Sequence, residues 1–165
     1  MPQYTFIRHP IPPTWDAASR VLILGSFPSV KSREAGYFYG HPQNRFWKVL
    51  AALFDEPVPM GTESRRSFLL RNGIAAWDVI ASCEIVGSSD SSIRNVVPND
   101  LSPILAAAGI RLICCNGQTS YRLYQRFLLP VTGREALCLP STSPANAAWS
   151  LERLVEAWSV VKTPG

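Results

Sequence analysis

The chain of 165 residues holds only two histidines and four cysteines, and no two cysteines stand in a CxxC pair. A structural zinc or iron–sulfur site needs Cys and His clustered at ligand spacing. Cys83, Cys114, Cys115 and Cys138 with His9 and His41 offer no such cluster, so no metal and no cofactor is expected. Cys114 and Cys115 fall inside an apolar run, where thiols behave as small hydrophobes, and all four cysteines read as reduced and structural. No apolar run approaches the roughly 20 residues of a membrane span. The start Met1-Pro2-Gln3-Tyr4 lacks the basic end and apolar stretch of a secretion signal. The expectation is a cytoplasmic protein with no membrane partner.

Several common motifs are missing as well. Gly25-Ser26-Phe27-Pro28-Ser29 lacks the GxGxxG spacing of a dinucleotide site, Pro28 removes a backbone donor that a phosphate would need, and no Walker lysine follows. Ser26 stands outside a GxSxG elbow and His41 is the one base at hand, which leaves a Ser-His-Asp hydrolase without support. Charge is sparse at 17%, with sixteen Lys and Arg against twelve Asp and Glu and a net charge of +4. That mild excess is compatible with a polyanion partner without demanding one.

What is present is 47% hydrophobic residues, enough for a sizeable core, and no long linker that a second domain would need. Residues 1–165 are read as one domain and as a monomer. Four short apolar runs suit buried strands: Val21–Leu24, Ile74–Ile80, Leu112–Cys115 and Ala136–Leu139. Helical spacing is read for Arg45–Leu53, Glu63–Arg71, Leu101–Ala108, Ser120–Phe127 and about Ala147–Val161. Asn72-Gly73 and Gly109 would act as stops, Asn44 and Asp100 as N-caps. In the last helix Trp149, Leu151, Leu154, Val155 and Trp158 would share one buried face. Tyr4–Pro13 reads as an extended arm, and Glu84–Asn99, with Ser88 to Ser92 inside it, as a long polar loop. Strands alternating with helices imply βαβ crossovers, hence a three-layer α/β/α sandwich around a central, mainly parallel four-stranded sheet.

The stretch on which the rest depends starts where Val21–Leu24 ends. About twenty residues rich in Gly, Pro, Ser and aromatics follow, too long for an ordinary connector. They leave the carboxyl edge of the sheet, where open α/β proteins place their chemistry. Tyr37, Phe38, Tyr39, His41 and Asn44 would there face two Ser-rich loops and Arg94. Flat aromatic faces suit stacking of a base, amides read base edges, and hydroxyls with backbone amides hold phosphates. Plain alternatives stand beside each: core packing for the aromatics, a simple N-cap for Asn44, a solvated loop for Ser88 to Ser92.

His41-Pro42-Gln43-Asn44-Arg45-Phe46-Trp47-Lys48 is similar to the HPxNxFWK segment of mismatch-specific uracil glycosylases, and Gly25-Ser26-Phe27-Pro28-Ser29 to their GINPG. Pro140-Ser141-Thr142-Ser143-Pro144-Ala145-Asn146 is similar to their second motif. With Trp77-Asp78, Asp90-Ser91-Ser92-Ile93-Arg94-Asn95 and Asn116-Gly117, the chain resembles the uracil-DNA glycosylase superfamily over about residues 20 to 160, most closely its deoxyinosine branch. The resemblance implies a monofunctional DNA glycosylase that flips out a deaminated base, hypoxanthine first, with uracil or xanthine as further candidates, and works on the nucleoid during repair. Double-stranded DNA would be the partner, with single strands left open. Gly25, Ser26, Phe27, Pro28, Tyr39 and His41 would form the base pocket and Asn44 the catalytic amide. Ser141, Thr142, Ser143 and Pro144 would enter the DNA, and Ser91, Ser92 and Arg94 would contact phosphates. The chain departs from the mismatch enzymes at Phe27, where they carry the water-positioning Asn, and lacks the usual His of the second motif. The deoxyinosine branch shares this gap, and there the Asn matching Asn44 takes over. No imine-forming lyase step is implied. A catalytically silent binder of damaged nucleic acid and a hydrolase of small nucleotides are the rival readings.

Overall fold

The computed structural model describes residues 3–87 and 89–163; Ser88 of the expected polar loop, Met1-Pro2 of the start and the last two residues lie outside them. The first half of the chain runs β1 (Thr5–Arg8), β2 (Val21–Gly25), α1 (Val30–Ala35), α2 (Phe46–Phe54), α3 (Thr62–Arg71), β3 (Ile74–Asp78) and β4 (Ile80–Ile85). The second half runs β5 (Arg94–Pro98), α4 (Ser102–Ala107), β6 (Leu112–Asn116), α5 (Gln118–Leu123), α6 (Leu129–Thr132), β7 (Leu137–Leu139) and α7 (Leu151–Ala157). A π turn over Tyr124–Leu128 joins α5 to α6.

Every residue of β2 is buried. It pairs in parallel with β3 on one side and β6 on the other, and β7 extends the sheet in the order β3-β2-β6-β7. Alternate residues of a strand face opposite sides. Val21, Ile23, Ile74, Ala76 and Cys114 therefore meet Phe46, Trp47, Leu50, Phe68, Leu154 and Trp158 from α2, α3 and the C-terminal helical segment. Leu22, Leu24, Ala75, Ile113 and Cys115 face the other way, against Leu101, Ile104, Tyr124 and Leu128. Each fully buried apolar side chain of this kind contributes about 1.5–3 kcal/mol of transfer free energy. A four-stranded parallel sheet flanked by helices is the expected class, parallel throughout.

The structure differs from the sequence reading in several places. The arm at residues 4–13 is a strand over Thr5–Arg8, antiparallel to β4, and the loop expected from 84 to 99 contains β5 on β4's other edge. A second, three-stranded sheet of order β1-β4-β5 results. β1 and β5 read as loop because they are short and mostly exposed, Phe6 and Val97 included, and show no long apolar run. The single strand expected over 74–80 is two, divided at Val79. A short helix, α1, sits inside the loop after β2, with the Ser29 hydroxyl accepting from Ser32 N at 3.1 Å. The last helix begins at Leu151 and not near Ala147, because the Ser150 hydroxyl caps it from outside, accepting from Arg153 N at 3.2 Å. Leu151, expected on its buried face, is 39% exposed. The caps also shift: α2 starts after Arg45, α4 after Leu101, and Gly109 does not adopt a left-handed conformation.

Among the described residues no helix is long and apolar enough to cross a membrane, and no group of three or more His, Cys, Asp and Glu could hold a metal ion. All four cysteines are unpaired. Burial pushes the Cys114 and Cys115 thiols up to about 12, so they are poor nucleophiles at neutral pH.

Candidate active site

β2, β3 and β6 end on the same edge of the sheet, at Gly25, Asp78 and Asn116, and a cleft of about 310 Å³ opens above those three ends. The loop after β2 supplies Ser26, Phe27, Pro28, Tyr39, His41 and Asn44 to its lining, and the loop after β7 supplies Ser141, Thr142, Ser143 and Pro144. The expected pocket residues and second-motif residues are thus brought together around one space. Asp78, Asn116 and Asp90 line it too, and the sequence reading gave none of them a site role. The available signal was a polar residue closing an apolar strand, as in Ile74-Ala75-Ala76-Trp77-Asp78 and Leu112-Ile113-Cys114-Cys115-Asn116.

Asp78 forms the floor. It is 4% exposed, and its Oδ2 lies 2.7 Å from His9 Nε2. His9 Nδ1 accepts the backbone N–H of Ile11 at 3.1 Å, which leaves the ring's single proton on Nε2, donated to the carboxylate. The other oxygen, Oδ1, crosses over the Cα of Gly25, where an added Cβ would come within 2.3 Å of it. Any residue but glycine there would displace the carboxylate.

Tyr39 and Phe27 supply aromatic surface to the cleft. Tyr39 stacks on Phe46 with ring centroids 3.9 Å apart and planes 15° from parallel, so one face is backed by the core. Its backbone has φ +52°, an uncommon value for a residue with a large side chain, and such strain concentrates at functional sites. The Tyr39 hydroxyl is buried and makes no hydrogen bond of good geometry among the described residues. Burial, and next the charge of Asp78, push its ionisation well above the ordinary tyrosine value, the Asn116 amide opposing, so it stays a phenol. Phe27 meets His9 edge-on at 5.8 Å, with the Arg33 guanidinium 5.7 Å from its ring centre.

Asn44 is not the N-cap residue of α2; Arg45 is. Its Oδ1 nevertheless accepts from Phe46 N at 3.0 Å, and a second bond arrives from Thr142 Oγ1 at 2.8 Å. Thr142 was expected at the DNA, yet it is fully buried. Its hydroxyl accepts from Asn116 Nδ2 at 3.0 Å, and its backbone N donates to Asn116 Oδ1 at 3.0 Å. Two amides and a hydroxyl thereby link the ends of β6 and β7 to the start of α2.

The loop after β7 is held from below. The Arg45 guanidinium donates to the carbonyls of Ser143 at 3.4 Å, Asn146 at 3.0 Å and Trp149, while Trp158 Nε1 donates to Pro140 O at 2.9 Å. Ser141, Ser143 and Pro144 stand at the cleft wall on this clamped loop, partly exposed.

At the rim, Ser26 Oγ makes a long 3.5 Å bond to Asp90 Oδ1. Asp90 as a residue reaches solvent, but its carboxyl turns toward Ser26. Desolvation raises its ionisation above the usual carboxylate range, hydrogen bonds from Ser26 and Thr119 opposing. Lys31 also borders the cleft, 3.8 Å from Glu34, a position on α1 that the motifs did not reveal. Ser91, Ser92 and Arg94 do not line the cleft. Ser92 Oγ closes its own turn, accepting from Val86 N at 2.9 Å and donating to Ser89 O at 2.7 Å. Arg94 lies 3.3 Å from Glu84 and 3.4 Å over the Tyr4 ring.

The family model described as uracil DNA glycosylase superfamily matches residues 12–162. A hypoxanthine DNA glycosylase of Methanosarcina acetivorans is 36% identical over 157 residues, which cover 94% of this chain and 98% of the relative. One from Methanosarcina barkeri is 33% identical over 150 residues, 90% of this chain and 93% of the relative. The solution NMR structure of a candidate uracil DNA glycosylase from Methanosarcina acetivorans superposes with a TM-score of 0.81 at 34% identity, covering 96% of this chain and 98% of that one.

Proposed function

The chain belongs to the uracil DNA glycosylase superfamily, and from that premise we propose that it is a monofunctional DNA glycosylase that flips out a deaminated base, hypoxanthine first, and hydrolyses its bond to the sugar. In this reaction the bond between C1′ and the base nitrogen breaks, the electron pair leaves on the base, water adds to C1′, and the proton it gives up ends on the released base. A base must leave the duplex stack to enter the cleft, at a cost of a few kcal/mol that is lowest for a weakened pair.

The observation that carries the reading is the fixed amide of Asn44. Phe46 N–H and Thr142 O–H occupy both lone pairs of Oδ1, so the Nδ2 amino group is the one left for the cleft. A donor held this rigidly, in a cleft with Tyr39's backed ring, suits either the attacking water or a carbonyl of the departing base. Preorganised donors of this kind are worth more in a water-poor site than in solvent. The DNA's own phosphates stabilise the cationic sugar of the transition state. Ser141, Ser143 and Pro144, on the loop clamped by Arg45, wedge into the strand from which the base has turned. No imine step is invoked: Lys31 stands at the rim with its side chain 59% exposed. Work on chromosomal DNA places the protein in the cytoplasm, at the nucleoid.

The test is a panel of duplex and single-stranded oligonucleotides carrying hypoxanthine, xanthine or uracil, read for both binding and base release. Release of hypoxanthine ahead of the others supports the proposal. Tight binding with no release from any of them favours the silent binder. Turnover of free deoxynucleosides with little salt dependence favours the small-nucleotide hydrolase.

A further inference from the structure

We propose that Asp90 is the acid that lets a purine leave: its carboxyl, at the rim of the cleft beside Ser26, hands a proton to the base as the bond to C1′ breaks. This rests on the cleft being the base-removing site and adds a chemical step at its mouth.

Asp90 lines the cleft from a different part of the chain than Asn44, on the turn that joins β4 to β5. That turn is braced. Ser92 Oγ accepts from Val86 N at 2.9 Å and donates to Ser89 O at 2.7 Å, and Ile93 N donates to Asp90 O at 3.3 Å. From it the Asp90 carboxyl reaches back to Ser26, whose Oγ donates to Oδ1 at 3.5 Å. Ser26 follows Gly25 at the end of β2, and its carbonyl accepts from Ile80 N at 3.2 Å, so both partners are fixed to the edge of the sheet. The residue reaches solvent, yet its carboxyl is withdrawn from water. Desolvation raises its ionisation above the usual carboxylate range, against the opposing hydroxyls of Ser26 and Thr119 and the guanidinium of Arg122. Asp90 therefore keeps its proton to a higher pH than an exposed aspartate.

A flipped base enters with its sugar still in the strand, so the far edge of the ring reaches the floor and the glycosidic bond stays at the mouth. In a purine that bond belongs to N9 of the five-membered ring, and the same ring carries N7, whose lone pair is free. A carboxyl at the rim meets that part of the base. Asp78 lies at the floor, away from the bond, and is tied to His9. As C1′–N9 breaks, its electron pair stays on the purine and the Asp90 O–H proton passes to N7, so the base leaves neutral and not as an anion. Water adds to C1′ and gives its proton to the Asp90 carboxylate, which restores the acid. The water's proton thus ends, in net terms, on the released base, and no co-reactant is needed.

The test is the pH dependence of single-turnover release from a hypoxanthine duplex at saturating protein, with the enzyme-free rate subtracted. The wild-type rate is expected to rise as the pH falls through the titration of Asp90, because only the protonated form donates. Asp90→Asn keeps an oxygen for the Ser26 hydroxyl but has no acidic proton to give. It should remove the rise and be at least about tenfold slower than the wild type at the acid end, the two rates converging as the pH increases. Ser26→Ala takes away a donor that favours the carboxylate, so the activity it retains should show the rise shifted to higher pH. Lys31, His41 and Asp78 line the same cleft, and Arg122 faces Asp90 from α5. A rise produced by any of these would survive Asp90→Asn. Circular dichroism checks the fold of each variant, and if Asp90→Asn does not fold, the shift in Ser26→Ala decides alone.

A wild-type rate without the rise, or an Asn variant that keeps it, overturns the proposal. So does an Asn variant that loses the same factor at every pH, which marks a structural role, and so does a rise that Ser26→Ala leaves in place. Release that is present but independent of pH strikes only Asp90. No release of hypoxanthine at any pH would break the glycosylase reading itself, and the role of Asp90 with it.

Discussion

Thr142 Oγ1 donates to Asn44 Oδ1 at 2.8 Å while accepting from Asn116 Nδ2 at 3.0 Å, so one buried hydroxyl settles the orientation of an amide in the cleft. Valine has nearly the shape of threonine but lacks the hydroxyl. Thr142→Val would strand an acceptor on Asn44 and a donor on Asn116, which costs about 1–3 kcal/mol where such groups are buried. The expected outcome is a lower melting temperature and base release slower by roughly tenfold or more, with DNA affinity changed far less. Thr142 is fully buried within the cleft lining, so its replacement is expected to act through Asn44 and Asn116. Unchanged single-turnover rates in the folded variant would separate Thr142 from the action of Asn44.

Tyr39 presents its ring to the cleft and buries its hydroxyl without a good partner. Tyr39→Phe removes an unsatisfied polar atom and should keep most of the activity, with stability equal or higher by up to about 1 kcal/mol. Tyr39→Ala removes a stacking surface worth roughly 1–3 kcal/mol per base, and should weaken both binding and turnover. A Phe variant as poor as the Ala variant would show that the hydroxyl is the working part.

Phe27 stands where the resemblance to the mismatch enzymes would put a water-positioning Asn, and an aromatic ring cannot hold a water for attack. Its edge-on contact with His9 instead supports the residue that orients Asp78. Phe27→Leu should therefore keep most of the base release and Phe27→Ala only part of it, the loss being one of pocket shape. Single-turnover rates for the pair, set beside Tyr39→Ala, check this. If Phe27→Ala is as inactive as the worst of the cleft variants, Phe27 does more than pack.

The parallel sheet was legible because β2, β3 and β6 are short apolar runs largely buried on both faces, and β7 is an apolar run too, although Leu137 at its start is exposed. The antiparallel sheet was not, since Thr5–Arg8 and Arg94–Pro98 pair through their backbones while leaving most side chains exposed, Phe6 and Val97 included, and backbone pairing leaves no trace in composition. The site divides the same way. Residues contiguous in one loop, such as Tyr39, His41 and Asn44, could be grouped by eye. His9 and Asp78, 69 positions apart, could be joined only once β3 and the N-terminal segment were in place. Thr142 shows the limit most clearly: its position in a motif suggested DNA contact, and only packing reveals that it faces inward.

Arg45 joins α2 to the loop after β7 by donating to three carbonyls. A lysine carries the same charge but offers a single point donor, which cannot span the three. Arg45→Lys should loosen the loop bearing Ser143 and Pro144. If that loop wedges the duplex open, the loss should be larger on a well-paired hypoxanthine duplex than on a single strand, where there is nothing to separate. Base-release rates on the two substrates give the ratio, and equal losses on both would remove the wedge. Ser143→Ala and Pro144→Ala should show the same bias in weaker form.

Asn44 carries the sharpest expectation, because its local and chemical roles respond differently to one substitution. Its Oδ1 holds Phe46 N–H at the first turn of α2, and a carboxylate oxygen performs that task as well as an amide oxygen. Aspartate also accepts from Thr142, so Asn44→Asp should fold with little change in melting temperature. The cleft, however, would then be faced by an acceptor where Nδ2 had offered a donor. A water or base carbonyl that had been held would be repelled, and base release should fall at least about a hundredfold, on the order of 3 kcal/mol of barrier. Asn44→Ala, by contrast, should cost about 1 kcal/mol of stability as well as activity. Single-turnover release measured beside a thermal melt separates the roles, and a well-folded Asn44→Asp protein that releases base at a near-normal rate would leave Asn44 as a structural amide at the head of its helix.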